Sequence, residues 1–146
     1  DEYKHFWADT PEQEKQMWEN FIHYIENIKE DIIIYHYAPY EKSSINRLAK
    51  KYGIKEETHQ RILNSMVDLF PLLTKSLVLP VYSYSIKPVA KFLGFKWRAQ
   101  DAGGANSMEW YFRYMEGEKW YKQKILSYNE DDIKATMILF DYLKKL

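Results

Sequence analysis

Cysteine is absent from the 146 residues, which excludes a disulfide framework, a thiolate zinc site and a cysteine nucleophile. A reducing, cytoplasmic setting is compatible with that absence. Net charge is absent too, because 21 Lys and Arg balance 21 Asp and Glu. A neutral chain has no global field to draw in nucleic acid, so such binding must rest on local patches. No apolar run approaches the ~20 residues that span a bilayer, so no membrane association is expected. The opening DEYKHFWADT is acidic and aromatic, which is not the order of a signal peptide. No internal repeat, low-complexity tract or interdomain linker breaks the chain.

Aromatic carbon is abundant instead: Phe, Trp and Tyr make up 17% of the chain, with 13 Tyr. That composition argues against disorder and for a packed fold with hydroxyl-bearing rings at its edges. The length fits one domain, residues 1–146, with a real core.

Strands and helices alternate along the chain. Tyr3 to Trp7 alternates large apolar and polar residues and is read as a short strand. Thr10-Pro11-Glu12-Gln13 reads as a helix start, with Thr10 as N-cap, Pro11 at the first helical position and Gln13 closing a capping box. Met17, Trp18, Phe21, Ile22, Ile25 and Ile28 then recur at helical spacing. Asp31 to Tyr37 is the best strand, and its three consecutive isoleucines predict burial on both faces, as inside a parallel or mixed sheet. A helix is expected from Tyr40 to Tyr52, stopped by Gly53, and another over Glu56 to Leu63. Met66 to Leu69 reads as a second strand ended by Pro71, and Leu72 to Leu77 as a helical turn. Ser85 caps a helix ending at Gly94. Asp101 to Asn106 is expected to be a loop, with Ser107 capping the next helix. Glu118 to Leu146 reads as helix in two pieces that meet near Tyr128. This is an α/β pattern with few strands for its many helices.

Two carboxylates stand on apolar helical lines. Glu41 lies in the first turn after the isoleucine strand, where the helix dipole alone would favour it. Its neighbours at i+4 and i+7 are Ile45 and Leu48, which directs it inward at the edge where open α/β sheets place their sites. Asp132 lies on the line Tyr128, Asp132, Thr136, Leu139, Leu143 and shares a face with Tyr128. Helix-start chemistry accounts for Asn129, Glu130 and Asp131, and Asp131 is expected on the exposed side. Inward carboxylates from two elements repel unless they are protonated or bind a cation. Oxygen ligands without cysteine favour Mg²⁺ or Mn²⁺. Two such ions a few ångström apart suit in-line displacement at phosphorus, and a nearby phenol suits the attacking water.

At these residues the chain resembles the DnaQ-like DEDD exonucleases of the ribonuclease H-like superfamily. Members carry D-x-E on the first strand, a second motif of the type H-N-A-x-F-D, and Y-x-x-x-D or H-x-x-x-D opening the last helix. His36-Tyr-Ala-Pro-Tyr-Glu41 resembles the second motif, with Glu41 for Asp and Tyr37 for Asn. Tyr128-Asn-Glu-Asp-Asp132 is similar to the third in its tyrosine form. Val67-Asp68-Leu69 and Tyr84-Ser-Ile-Lys-Pro-Val-Ala-Lys-Phe-Leu-Gly94 resemble the fifth strand and the helix after it. The wording IYHYAPYE, VDLF, YSIKPVAKFLG and YNEDD is closest to the RNase H-like domain of predicted RecB-family nucleases. No Asp in the chain is followed two positions later by Glu, so the D-x-E pair is missing. If Tyr3 to Trp7 is the family's third strand, the chain starts after the first two, which accounts for the shortage of strands.

The resemblance implies an RNase H-like mixed sheet flanked by helices and a metal-dependent 3′–5′ exonuclease acting on DNA or RNA. Tyr128, Asp132 and Glu41 would be catalytic, and Glu41 and Asp132 would hold two Mg²⁺ or Mn²⁺ ions. With two of four acids, the isolated chain is expected to hydrolyse weakly or not at all. A fused RecB-like nuclease or helicase domain is the implied neighbour. Exposed apolar surface, expected where strands are missing, makes self-association a further expectation. His36, Ser85 and Lys87 are candidate substrate contacts. His36 otherwise reads as a satisfied strand-end residue, and Ser85 with Lys87 as an N-cap and a solvated side chain. Asp68 stands between a place at the site edge and a cap for the turn at Pro71. Trp110, Tyr111, Tyr114, Trp120 and Tyr121 could stack bases or form core. The other class of function compatible with the sequence is a non-catalytic nucleic-acid- or protein-binding module of the same fold.

Overall fold

The structure, a computed structural model, describes residues 2–101 and 103–146. The chain divides into two compact units, one comprising Phe6–Leu77 and the other Val78–Leu146 with the segment ending at His5. Among the described residues no helix is long and apolar enough to cross a membrane.

In the Phe6–Leu77 unit the elements run α1 (Glu14–Asn27), β1 (Ile34–His36), α2 (Tyr40–Tyr52), α3 (Glu56–Ser65), β2 (Met66–Asp68) and α4 (Leu69–Ser76). The strands pair in parallel, with Ile34 opposite Met66, Tyr35 opposite Val67 and His36 opposite Asp68. Parallel strands need a long crossover, which α2 and α3 supply. The isoleucine strand is shorter than expected and is not buried on both faces: Ile33 is 63% exposed. Each strand of a two-stranded sheet has a neighbour on one edge only, so the ladder stops where β2 stops.

A 3-10 turn, Pro11–Gln13, precedes α1. The capping box forms only in part, because Thr10 makes no side-chain cap bond and the Gln13 side chain accepts instead from the Asp9 amide at 3.0 Å. Trp18 and Ile25 are buried from the amphipathic face of α1. The Trp18 indole donates to the Gly53 carbonyl at 3.0 Å. Gly53 ends α2 at φ 87° and ψ 160°, a conformation that glycine adopts without a Cβ penalty. Carbonyls at and just after the end of α1 are met by Arg61, whose guanidinium donates to Ile25, Ile28 and Glu30 at 2.8–3.0 Å.

In the other unit α5 (Ile86–Phe92) and α6 (Gly104–Met115) pack on α7 (Tyr121–Lys144). Val89, Ala90, Trp110, Tyr114, Ala135 and Leu139 are its buried apolar side chains that meet along these helices. Three expectations change here. Tyr3 to Trp7 is not a strand; the Tyr3 hydroxyl docks on α7 by donating to Asn129 at 3.0 Å, so its apolar rhythm reflects side-chain anchoring. The expected Asp101–Asn106 loop contains Ala102, which lies outside the described residues. Helix α6 starts at Gly104, and the Ser107 amide donates to the Gly103 carbonyl at 2.9 Å, closing the first turn rather than capping it. Finally, α7 is one helix of 24 residues running through Tyr128. Nothing in Ser127 to Asp132 removes a backbone donor or demands a non-helical φ, so the acids do not mark a helix start.

Candidate functional site

The middle of α7 carries two adjacent acids with different fates. Asp131, expected on the exposed side, is 3% exposed. Its line on the continuous helix is Asp131, Ala135, Leu139, and all three are buried. The cost of burying this charge is offset by Arg98. The Arg98 backbone amide donates to Oδ2 at 2.9 Å, and its Nε donates to Oδ1 at 3.0 Å and Oδ2 at 3.2 Å. The same guanidinium reaches the Ser127 carbonyl at 3.1 Å and Glu130 at 2.6 Å. Asp131 therefore clamps the segment after α5 onto α7, and its oxygens are occupied.

Asp132 is half-buried and differently placed. Its Oδ1 accepts the Trp97 indole proton at 2.8 Å, and no hydrogen bond reaches Oδ2 among the described residues. Burial pushes the Asp132 carboxyl above its ordinary value; the Trp97 hydrogen bond and the Lys87 charge oppose that, and Asp131 adds to it. One turn earlier, the Tyr128 hydroxyl accepts from Lys87 Nζ at 3.2 Å. The ammonium lies 4.8 Å from the Tyr128 ring centre and 5.6 Å from that of Trp97, within cation–π range of both. Trp110 meets Tyr128 edge-on at 6.0 Å.

Tyr128, Asp132 and Lys87 are thus brought together, with Trp97 joining them. The sequence reading missed Trp97 and Arg98. Their signal was the aromatic and basic run Phe95-Lys-Trp-Arg98 directly after Gly94. Ser85 stands at the N-cap position of α5 without capping it; its hydroxyl lies 2.7 Å from that of Ser83. Of the aromatic candidates, Trp110 and Tyr114 are buried, whereas Trp120 is exposed and stacks on Tyr121 at 3.9 Å.

Glu41 and His36 belong to the Phe6–Leu77 unit. His36 is buried at the end of β1, with Nδ1 2.8 Å from the Ala38 carbonyl. A carbonyl only accepts, so Nδ1 carries the proton, as a satisfied strand-end histidine requires. Glu41 does not point inward. Its side chain is 52% exposed, with Oε2 3.8 Å from His36 Nδ1. The helical line through Ile45 and Leu48 is only half-buried at this end, so the first turn of α2 stays in solvent. Asp68 acts as a cap: one oxygen accepts from Phe70 N at 2.9 Å and from Ala38 N at 2.8 Å, which ties the end of β1 to the start of α4.

A hard divalent cation takes several oxygen ligands. Among the described residues no cluster of three or more His, Asp or Glu is gathered for one. Asp132 has the chemistry of a single such ligand: a half-buried carboxylate with one open oxygen, whose charged form a cation would favour.

A family model described as the RNase_H superfamily matches residues 1–144. The chain belongs to the RNase_H superfamily. No curated protein and no solved structure matches it. Membership makes this a nuclease-like, nucleic-acid-related domain of RNase H-like kind, and the helix-rich structure, with two parallel strands among the described residues, is compatible with that α/β class.

Proposed function

We propose that the chain is a DEDD-type 3′–5′ exonuclease-like domain of the DnaQ-like branch, of the sort found with RecB-family nucleases, acting on DNA or RNA with Mg²⁺ or Mn²⁺. The observation that carries this reading is the pairing on α7 of a half-buried Asp132, its acidity weakened by burial, with Tyr128 one turn before it. Superfamily membership over residues 1–144 supports the substrate class.

Asp132 and Glu41 are each proposed as a cation ligand. Bound together, two such ions supply a hydroxide-like nucleophile and steady the leaving oxygen of an in-line displacement. The chain's own residues do the rest. Trp97 fixes the rotamer of Asp132 through Oδ1 and leaves Oδ2 for a ligand. Lys87 donates to the Tyr128 oxygen, which leaves the phenol proton free to orient a water. The Lys87 charge also favours the phosphate that must approach. Glu41, half-exposed at the start of α2, would present its carboxylate on a longer arm than aspartate. The polypeptide has no D-x-E pair, so on these residues alone the ions are held weakly and hydrolysis is slow.

Mn²⁺ binding to the full chain, followed by electron paramagnetic resonance, tests the ligand set independently of activity. Wild type is expected to bind, and Asp132→Asn and Glu41→Gln each to bind at least about tenfold more weakly, the scale of one lost charged ligand. Labelled single strands incubated with Mn²⁺ should shorten slowly from the 3′ end, and Asp132→Asn should abolish it. Mn²⁺ affinity unchanged in both variants, or cleavage undiminished by Asp132→Asn, refutes the assignment.

A further inference from the structure

Beside Asp132 lies a cavity of about 450 Å³ whose walls include Lys87, Lys91, Phe95, Lys96, Trp97 and Gln100. Its volume is in the range of small-ligand sites, about 300–1,000 Å³. We infer that this cavity holds one nucleotide of a single-stranded nucleic acid, with its base against Phe95 and Trp97 and its phosphates on Lys91 and Lys96. The inference rests on the reading of the chain as a nuclease-like domain and adds the place where substrate is gripped.

The walls are built by the end of α5. The Phe95 amide donates to the Ala90 carbonyl at 2.9 Å and the Gly94 amide to that of Lys91 at 3.0 Å, with Gly94 at φ 94°. This is the Schellman closure, which turns the chain sharply back along the helix it ends. The turn puts Lys91, on the last turn of α5, and Lys96, just after it, on the same cavity. Phe95 and Trp97 meet edge to face at 4.9 Å and 80°, so one presents a face where the other presents an edge.

Charge and ring chemistry together select the occupant. Among the described residues, three lysines line the cavity and no carboxylate does. Lys87 is engaged with Tyr128, but the ammonium groups of Lys91 and Lys96 have no ion pair or hydrogen bond among the described residues, and both residues are exposed. Unpaired cations on a concave wall call for an anion, and aromatic walls call for a flat apolar group. A nucleotide carries both. An acidic peptide would use the lysines and leave the rings idle. The position fits as well, because Trp97 and Lys87 are shared with the Asp132 and Tyr128 cluster, so a strand held here passes the candidate chemistry.

The test is binding of short labelled oligothymidylate and oligouridylate to the full chain, by fluorescence anisotropy in EDTA over a range of salt. Each phosphate contact contributes about 0.7 to the salt slope for single strands, so Lys91→Gln with Lys96→Gln should lower that slope by about 1.4. Phe95→Leu removes a stacking wall and should weaken binding roughly five- to 150-fold with the slope unchanged. The lysine pair is exposed, so its variant is expected to fold, and melting by circular dichroism checks both proteins. Equal loss for the two oligomers indicates a shared base and phosphate grip. A loss confined to oligouridylate or to oligothymidylate still supports the cavity and assigns the substrate. Wild-type binding untouched by the lysine pair overturns the inference, as does a chain that binds an acidic peptide and neither oligomer. Because EDTA removes hydrolysis from the measurement, the two readings fail separately. A chain whose Mn²⁺ affinity falls with Asp132→Asn but whose oligomer binding ignores these substitutions sinks the cavity alone, and a chain that binds oligomer through it but whose Mn²⁺ affinity ignores Asp132→Asn and Glu41→Gln sinks the exonuclease site alone.

Discussion

Replacing Asp131 by alanine should cost the fold more than any other change at the acidic stretch of α7. The carboxylate is 3% exposed and accepts both the Arg98 backbone amide at 2.9 Å and the guanidinium Nε at 3.0 and 3.2 Å. A hydrogen bond to a charged partner contributes about 1.5–3 kcal/mol net, the range assigned to the part-buried bond from the backbone amide. The Arg98 side chain is 53% exposed and rehydrates when its partner is lost, so its share is discounted to about 0–1 kcal/mol. The sum is roughly 1.5–4 kcal/mol, which for a chain of this length lowers the melting temperature by roughly 3–16 °C. Thermal unfolding by far-ultraviolet circular dichroism measures it, and Asp131→Ala melting within about 2 °C of wild type would contradict the clamp. A double-mutant cycle with Arg98→Ala separates the two contributions. Alanine keeps the backbone amide, so the coupling should stay near 1 kcal/mol; a coupling well above about 2 kcal/mol would place the energy in the guanidinium instead.

The neighbouring Asp132→Asn should behave in the opposite way. Burial raises the folded-state value above 3.8, so the native protein binds the extra proton and wild-type stability falls as pH rises from there through the folded value, then levels. The asparagine variant lacks that loss, so its melting temperature relative to wild type should rise from acid to neutral pH. A gap independent of pH would rule out the desolvated carboxylate. Gly53→Ala should destabilise by about 1–3 kcal/mol through backbone strain alone, because φ 87° with ψ 160° is a region reserved for glycine. A Cβ there would meet nothing within 4 Å, so urea midpoints should shift without repacking, and a stabilised variant would refute the strain.

Helix α2 and its glycine stop were legible to the residue, because Gly53 and the lysine-rich last turn are local signals. The second strand was placed within one residue, but Asp68 was readable only as an ambiguity between site and cap. The structure decides it: the Phe70 amide makes Asp68 a local cap, and the Ala38 amide reaches the same oxygen only once β1 and β2 pair. Tyr3 to Trp7 misled for a related reason. Alternation says that large side chains find burial, not whether a ladder or a docked hydroxyl provides it.

The sequence by itself determined the composition limits, the helical lines and the presence of Tyr128 and Asp132 on one face of one helix, because these follow from covalent order and the helical repeat. It could not say which of Asp131 and Asp132 is spent on the fold. Adjacent residues on a helix differ by about 100° in direction, so the answer depends on what packs on each side. Tertiary structure sets Arg98 against Asp131 and Trp97 with Lys87 beside Asp132 and Tyr128. One acid has both oxygens engaged in a structural clamp. The other keeps an oxygen open in a half-dry setting, where its charge is costly and a cation would be welcome.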